Sequence, residues 1–240
     1  MSGPLRIELH VFEGCPHATD AMTLVSEVAA RLAPGAVVVR VEVDTPEKAA
    51  ALGFQGSPSI RINGCDIEGR HVLGGALSCR TYEDGQGVPP AWLVEAALMR
   101  ALQPRGVLFL CVANSARSQL AEGIARSLAP TGTAVWSAGS QPTRVRPEAV
   151  AVLREVGIDI SEHRSKAVSE IPAEKVDAVI TLCAEEECPV FLGNAHRLHW
   201  GLSDPAATAG SDQERLEAFR RVRDELRRRL IVLFVTTGIT

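Results

Sequence analysis

The chain has 240 residues, 46% of them hydrophobic and 4% aromatic, with 25 Lys and Arg against 29 Asp and Glu for a formal net charge of −4. That length suits two modest domains of about 100–200 residues each, and scattered basic residues under a net negative charge exclude a nucleic-acid binder. No apolar run approaches the roughly 20 residues of a membrane span, and Met1 to Arg6 lacks the pattern of a signal peptide, so no membrane partner and a cytoplasmic location are expected.

In chain order, residues 5–12 read as a strand, 18–32 as a helix, 37–43 as a β-branched strand, 46–52 as a short helix and 56–62 as a strand entered through Ser57-Pro58. Asn63-Gly64 is the strongest hairpin signal in the chain, and 88–102 closes this half as a helix. Pro104 and Gly106 just past that helix mark a boundary, giving domains 1–103 and 105–240. The second half again alternates: strand 106–110, helix 119–128, strand 133–137, helix 147–156 with Pro147 in its first turn, and strand 176–182. A charged helix then starts at the capping box Ser211-Asp-Gln-Glu214 and runs to about residue 230. Such alternation predicts mostly parallel sheets with crossover helices. The run Arg227 to Arg229 reads as a solvated face or as cations at a helix C-terminus.

The cysteines divide evenly, with Cys15, Cys65 and Cys79 in the first half and Cys111, Cys183 and Cys188 in the second. In a cytosolic chain of this size they point to catalysis, redox chemistry or metal binding rather than to a disulfide framework. The richest stretch is Cys111, Val112, Ala113, Asn114, Ser115, Ala116, Arg117 and Ser118, between an apolar strand and a helix-like segment. A strand opening through a short loop into a helix N-terminus makes an anion site from loop amides and the helix dipole. A cysteine there is favoured as thiolate, the nucleophilic form, and the arginine offers a planar fork for a tetrahedral oxyanion. Cys111 as a small buried core residue is the plain alternative. The strand, the helix and the added hydroxyl of Ser118 favour a nucleophile aimed at phosphate or arsenate.

Two resemblances follow from these motifs. With Cys15 at the start of the first helix and Ser57-Pro58 before a later strand, the first half resembles the thioredoxin fold. That resemblance implies a cis Ser57–Pro58 bond packed against Cys15. The chain departs from the family's C-x-x-C at Ala18, so Cys15 is a candidate redox residue acting singly or pairing with Cys79 or Cys65, or the domain keeps the fold without the activity. Residues 106–225 resemble the low-molecular-weight tyrosine phosphatase fold, and within it the arsenate reductases that couple to thioredoxin-type reductants. The motifs are Cys111 to Glu122, Ser137-Ala-Gly-Ser140, Gly157-Ile-Asp-Ile-Ser161, Thr181-Leu-Cys183 and His199-Trp-Gly-Leu-Ser-Asp204-Pro205. The expected fold class is therefore two three-layer α/β domains, a thioredoxin-like one followed by a phosphatase-like, Rossmann-like parallel sheet.

The second resemblance implies Cys111 as nucleophile, residues Val112 to Ala116, Arg117 and Ser118 as the oxyanion cradle, and Asp204 as general acid. Cys183 and Cys188 would relay a disulfide to an external thiol reductant (thioredoxin, glutaredoxin with glutathione, or mycothiol), with no bound cofactor. Hydrolysis of a phosphomonoester is the alternative, although Ala206-Ala207 stands where phosphatases carry tyrosines. A zinc site built from Cys183, Cys188, His196 and His199 is a second rival. Some members bind potassium through residues matched by Asn114, Glu122 and Ser137 plus an acidic group, where this chain has Lys166; an ammonium there implies no potassium dependence. Joining a thioredoxin-like domain to such a reductase suggests a tethered electron donor.

Overall fold

The computed structural model describes residues 4–70, 74–184, 191 and 193–235. It divides into two compact units, one ending at Gln103 and the other spanning Pro104–Val235. Among the described residues, no helix is long and apolar enough to cross a membrane.

The first unit contains β1 (Arg6–Val11), α1 (Ala18–Leu32), β2 (Val37–Glu42), α2 (Pro46–Leu52), β3 (Ser59–Ile62), β4 (Cys65–Asp66) and α3 (Ala91–Leu102). Its sheet has the order β2-β1-β3-β4. The β1–β2 pair is parallel, with α1 as the crossover, while β1–β3 and β3–β4 are antiparallel. The β3–β4 hairpin turns at Asn63 (φ 50°) and Gly64 (φ 81°), the paired positive φ values that made Asn-Gly legible as a hairpin. Register explains the layers. Leu9 opposite Ile60 and Ile7 opposite Ile62 put apolar side chains on one face, and α1 packs on that sheet and against α3 through Ala21, Val25, Val28 and Leu32 at helical spacing. On the other face Glu8 meets Arg61, whose Nη2 donates to the carbonyls of Leu52 (2.6 Å) and Gly53 (2.9 Å) at the end of α2. The Ser57–Pro58 bond is cis, as expected.

The second unit contains β5 (Gly106–Cys111), α4 (Arg117–Leu128), β6 (Ala134–Gly139), α5 (Pro147–Arg154), β7 (Ala178–Cys183), β8 (His196–Leu202) and α6 (Asp212–Phe234). The sheet order is β6-β5-β7-β8, parallel throughout. Every residue of β5 is buried, as a central parallel strand covered on both faces requires. Leu108 and Leu110 pack with Ile171, Val176, Val179 and Phe191, while α4 lies against β5 and β6 and packs on α5 and α6. From β5 the chain goes to β6 on one side and later returns to β7 on the other. The crevice outside the carboxyl ends of β5 and β7 is therefore the topological switch point, where open α/β sheets bind ligands.

Two helix boundaries and one unanticipated strand stand out against the sequence expectations. Helix α4 starts at Arg117, two residues early, because the cradle runs straight into its first turn. Helix α6 continues to Phe234, held by buried Leu230, Leu233 and Phe234. Strand β8 is an edge strand in which exposed His199 and Gly201 alternate with buried Leu198, Trp200 and Leu202, a pattern masked in sequence by its histidines and arginine.

Candidate active site

The cradle's orientation follows from where its carbonyls go. Val112 O accepts from Gln141 N (3.0 Å), Ala113 O from Thr143 N (3.1 Å) and Ser115 O from Arg146 N (2.9 Å). Asn114 O accepts from Ser165 Oγ (2.7 Å) and Gln119 Nε2 (3.1 Å). Because carbonyl and amide of one trans peptide unit point opposite ways, these four outward carbonyls turn the amides of residues 113–116 inward. The first amides of α4 join them. The segment bracing the cradle approaches closely at Gly139, opposite Cys111 in β6. A Cβ there would lie 2.3 Å from Val112 O and 2.8 Å from Asn114 N, so only glycine fits.

Asn114, fully buried at φ 45°, is the hub. Its Oδ1 accepts from the amide of Lys166 (2.7 Å) and from Gln119 Nε2 (2.9 Å). A backbone amide can only donate, which fixes the side chain's orientation. Asn114 Nδ2 therefore donates to Ser118 Oγ (2.8 Å) and Ser137 Oγ (2.8 Å). The Ser137 hydroxyl in turn donates to Glu122 Oε2. Ser118 Oγ also hydrogen-bonds Cys111 Sγ, 2.9 Å away, and its hydroxyl proton is available to a thiolate there.

Behind this hub Glu122 is fully buried, with Lys166 Nζ 3.0 Å and Arg126 Nη2 2.5 Å from its carboxylate. The Lys166 ammonium thus stands at Glu122 Oε2, the oxygen that also accepts from Ser137, and this positive charge on the carboxylate does not fit a potassium ion in addition. His163 closes the network, with Nδ1 3.0 Å from Gln119 Oε1 and Nε2 3.1 Å from Arg126 Nη1. Burial lowers its pKa below the ordinary histidine value; Glu122 opposes the shift, while Arg126 and Lys166 add to it. A neutral ring suits both neighbours, donating to Gln119 and accepting from Arg126.

The remaining site residues gather at the same end of the sheet. Arg117, 3% exposed, donates from Nη1 to Leu202 O (2.9 Å) and Leu182 O (3.5 Å), and its Nη2 lies 3.7 Å from Asp204 Oδ2. Asp204 is a third exposed and caps the turn Pro205–Ala207 by accepting from Ala206 N (3.1 Å). Its second oxygen is left towards Arg117. Cys183 is buried at the end of β7, and Leu110 stands opposite Thr181 in the register of β5 and β7. The register irregularity between Thr181 and Cys183 ends the regular pleat there. All five described cysteines are outside disulfides, and Cys188 lies outside the described residues.

The zinc alternative fails on register. His196 pairs with Ala178 at the far end of β7, about 17 Å from Cys183 at strand spacing, and His199 Nδ1 contacts Thr181 Oγ1 at 2.8 Å. Sequence reading did not anticipate Gln119, His163 or Ser165, nor the brace from Gly139 to Arg146. Only the Ser137-Ala-Gly-Ser140 motif signalled the brace. In the first unit, Cys15 is half-buried in the turn before α1, where its amide bonds Phe12 O at 3.3 Å.

Comparison with known proteins places these features in context. The low molecular weight phosphotyrosine protein phosphatase family matches residues 106–238. An arsenate reductase of Halalkalibacterium halodurans is 44% identical over 134 residues, 55% of this chain and 96% of that protein. An arsenate reductase of Bacillus subtilis is 41% identical over 126 residues, 52% of this chain and 91% of its own. Among solved structures, a thioredoxin-dependent arsenate reductase of Corynebacterium glutamicum is 30% identical, over 55% of this chain and 67% of that one, with a TM-score of 0.38.

Proposed function

The chain belongs to the low molecular weight phosphotyrosine protein phosphatase family, and from that membership we propose that it reduces arsenate to arsenite through the thiolate of Cys111. The amides of residues 113–116 and the Arg117 guanidinium hold the substrate oxygens. Cys111 sulfur bonds to arsenic while one oxygen leaves, protonated by Asp204 as general acid. Cys183 thiolate then attacks the sulfur of Cys111. The electron pair of the sulfur–arsenic bond stays with arsenic, which departs as arsenite and leaves a Cys111–Cys183 disulfide. Attack of Cys188 on Cys183 releases Cys111 and moves the disulfide to Cys183–Cys188. A thiol reductant returns the two electrons, and no prosthetic group takes part. Thioredoxin, glutaredoxin with glutathione, or mycothiol would serve, all in a cytoplasm that keeps thiols reduced.

One observation carries this reading: a buried second cysteine, Cys183, ends the strand beside that of Cys111. Hydrolysis of a phosphomonoester uses no such thiol. Arsenate-dependent arsenite release should therefore be abolished at multiple turnover by Cys183→Ser, with each reductant tried separately. Efficient aryl phosphate hydrolysis that survives Cys183→Ser, without arsenite formation, would replace the reading with the phosphatase alternative.

For the first unit, residues 1–103, we propose a thioredoxin-like domain that serves as tethered thiol donor through Cys15, raising the local concentration of reductant. Cys15→Ser should slow multiple turnovers while leaving a single turnover intact. Equal rates in both regimes would leave the unit without that role.

A further inference from the structure

One strap of chain in the first unit borders the turn of Cys15 at both ends. The amide of Ser57 donates to Ser78 O (2.8 Å), and Ser57 O accepts from Arg80 N (3.0 Å). Cys79 thus stands directly opposite Ser57 as its bridge partner. The approach is close, since a Cβ at Gly56 would lie 2.9 Å from the Cys79 carbonyl. On the other side of Ser57, its Oγ accepts from the amide of Phe12 (3.4 Å), the residue on which the Cys15 turn closes. Further along the strap, Tyr82 Oη donates to Pro58 O (2.9 Å), and Gly87 lies against the ring of His17, which a Cβ there would approach to 2.2 Å. The strap is anchored by buried Arg80, which donates to Asp66 (2.6 and 2.9 Å), Glu68 (2.6 Å) and Ser59 Oγ (3.0 Å). Cys79 itself is exposed.

The remaining cysteine of this unit is at the wrong end of the sheet. Cys65 pairs with Ile62, and Ile62 with Ile7. From Ile7 to Phe12 is five residues of extended chain, about 17 Å, while a disulfide joins Cα atoms roughly 4.4–6.8 Å apart.

We propose that Cys79 is the resolving thiol of Cys15, the partner that the C-x-x-C pattern would have placed at Ala18. Cys15 thiolate attacks a protein or low-molecular-weight disulfide, forming a mixed disulfide and expelling one thiolate. Cys79 thiolate then attacks Cys15 sulfur and expels the second. The products are a Cys15–Cys79 disulfide and two client thiols. The pair supplies two electrons to the client, and the protons of its two thiols pass to the client's sulfurs. This deepens the donor role of Cys15 and rests on it only for the identity of the client.

The test oxidises the reduced full chain with glutathione disulfide, traps the remaining thiols by alkylation and maps linked peptides by mass spectrometry. A Cys15–Cys79 link is expected in the unsubstituted chain and in Cys65→Ser, whereas Cys79→Ser should leave glutathione on Cys15. Glutathione on Cys15 beside an alkylated Cys79 in the unsubstituted chain overturns the proposal, as does a Cys15–Cys65 link or a dimer joined through Cys79. Should Cys79→Ser fail to fold, the unsubstituted and Cys65→Ser maps still decide. Arsenite release by the same preparations with dithiothreitol as donor tests the arsenate reading separately, because it bypasses Cys15.

Discussion

Gly139→Ala is a one-carbon change that should disable the site without touching a reacting atom. The added Cβ would lie 2.3 Å from Val112 O, 2.8 Å from Asn114 N and 3.0 Å from Cys111 O. A tolerable carbon–oxygen contact is about 3.3 Å, so the Val112 carbonyl must retreat by about 1 Å. All three obstructing atoms are backbone, and no rotamer relieves them. Val112 O is also bonded to Gln141 N at 3.0 Å, so the cradle shifts as a body and carries the inward amides with it. A misplacement of 1 Å in a catalytic constellation costs about 10²-fold in rate, or about 2.7 kcal/mol of barrier. The assay is single-turnover arsenite release, with thermal melts to establish that the variant is folded. Gly35→Ala, whose Cβ would meet nothing within 4 Å, should be indistinguishable from the unsubstituted protein. A folded Gly139→Ala variant within threefold of the unsubstituted rate would refute the argument that outward carbonyls set the cradle.

Asp204→Asn removes the proton donor and should lower kcat by about 10²–10⁴-fold with little change in KM; an unchanged kcat removes Asp204 from the reaction. Rates of the unsubstituted protein should be equal in sodium and potassium chloride at one ionic strength, whereas Lys166→Asp, which sets two carboxylates together at Glu122, should acquire a potassium response. A twofold stimulation of the unsubstituted protein by potassium contradicts the assignment of the Lys166 ammonium to that position. His163 binds its proton more weakly folded than unfolded, so its contribution to stability is complete above about pH 6.5 and is lost as pH falls from there through its folded value. The melting temperature of His163→Gln should therefore fall less between pH 8 and 5 than that of the unsubstituted protein. His10 titrates in the same direction by burial and cancels from the difference; parallel curves would show that His163 is not the group responsible.

The sequence was most legible where chemistry and periodicity coincide. β5 is a continuous apolar run because both its faces are covered, and Cys111 to Ser118 reads as a cradle because strand, loop and helix are contiguous. Asn63-Gly64 was readable because its turn demands positive φ twice. What stayed hidden is held by partners distant in sequence. Ser165 reaches Asn114 across 51 residues and His163 reaches Gln119 across 44, and no local pattern announces either contact. The brace from Gln141 to Arg146 is irregular backbone with neither strand nor helix period. The pairing of Ser57 with Cys79 is a bridge outside any named strand, so sequence left Cys15 with two candidate partners, and only strand register separates them.

The inward amides have a consequence for selectivity. A cradle of backbone amides reads charge and tetrahedral shape, and phosphate offers both as well as arsenate does. Because these amides are oriented by Gln141, Thr143, Arg146 and Ser165, the site is set before any anion arrives and cannot reshape itself around the larger one. Discrimination then falls to the next step, where arsenic can leave sulfur with an electron pair and phosphorus cannot. Phosphate becomes a competitor that occupies the site and departs unchanged, and the cell's phosphate level sets how much arsenate is needed to be seen.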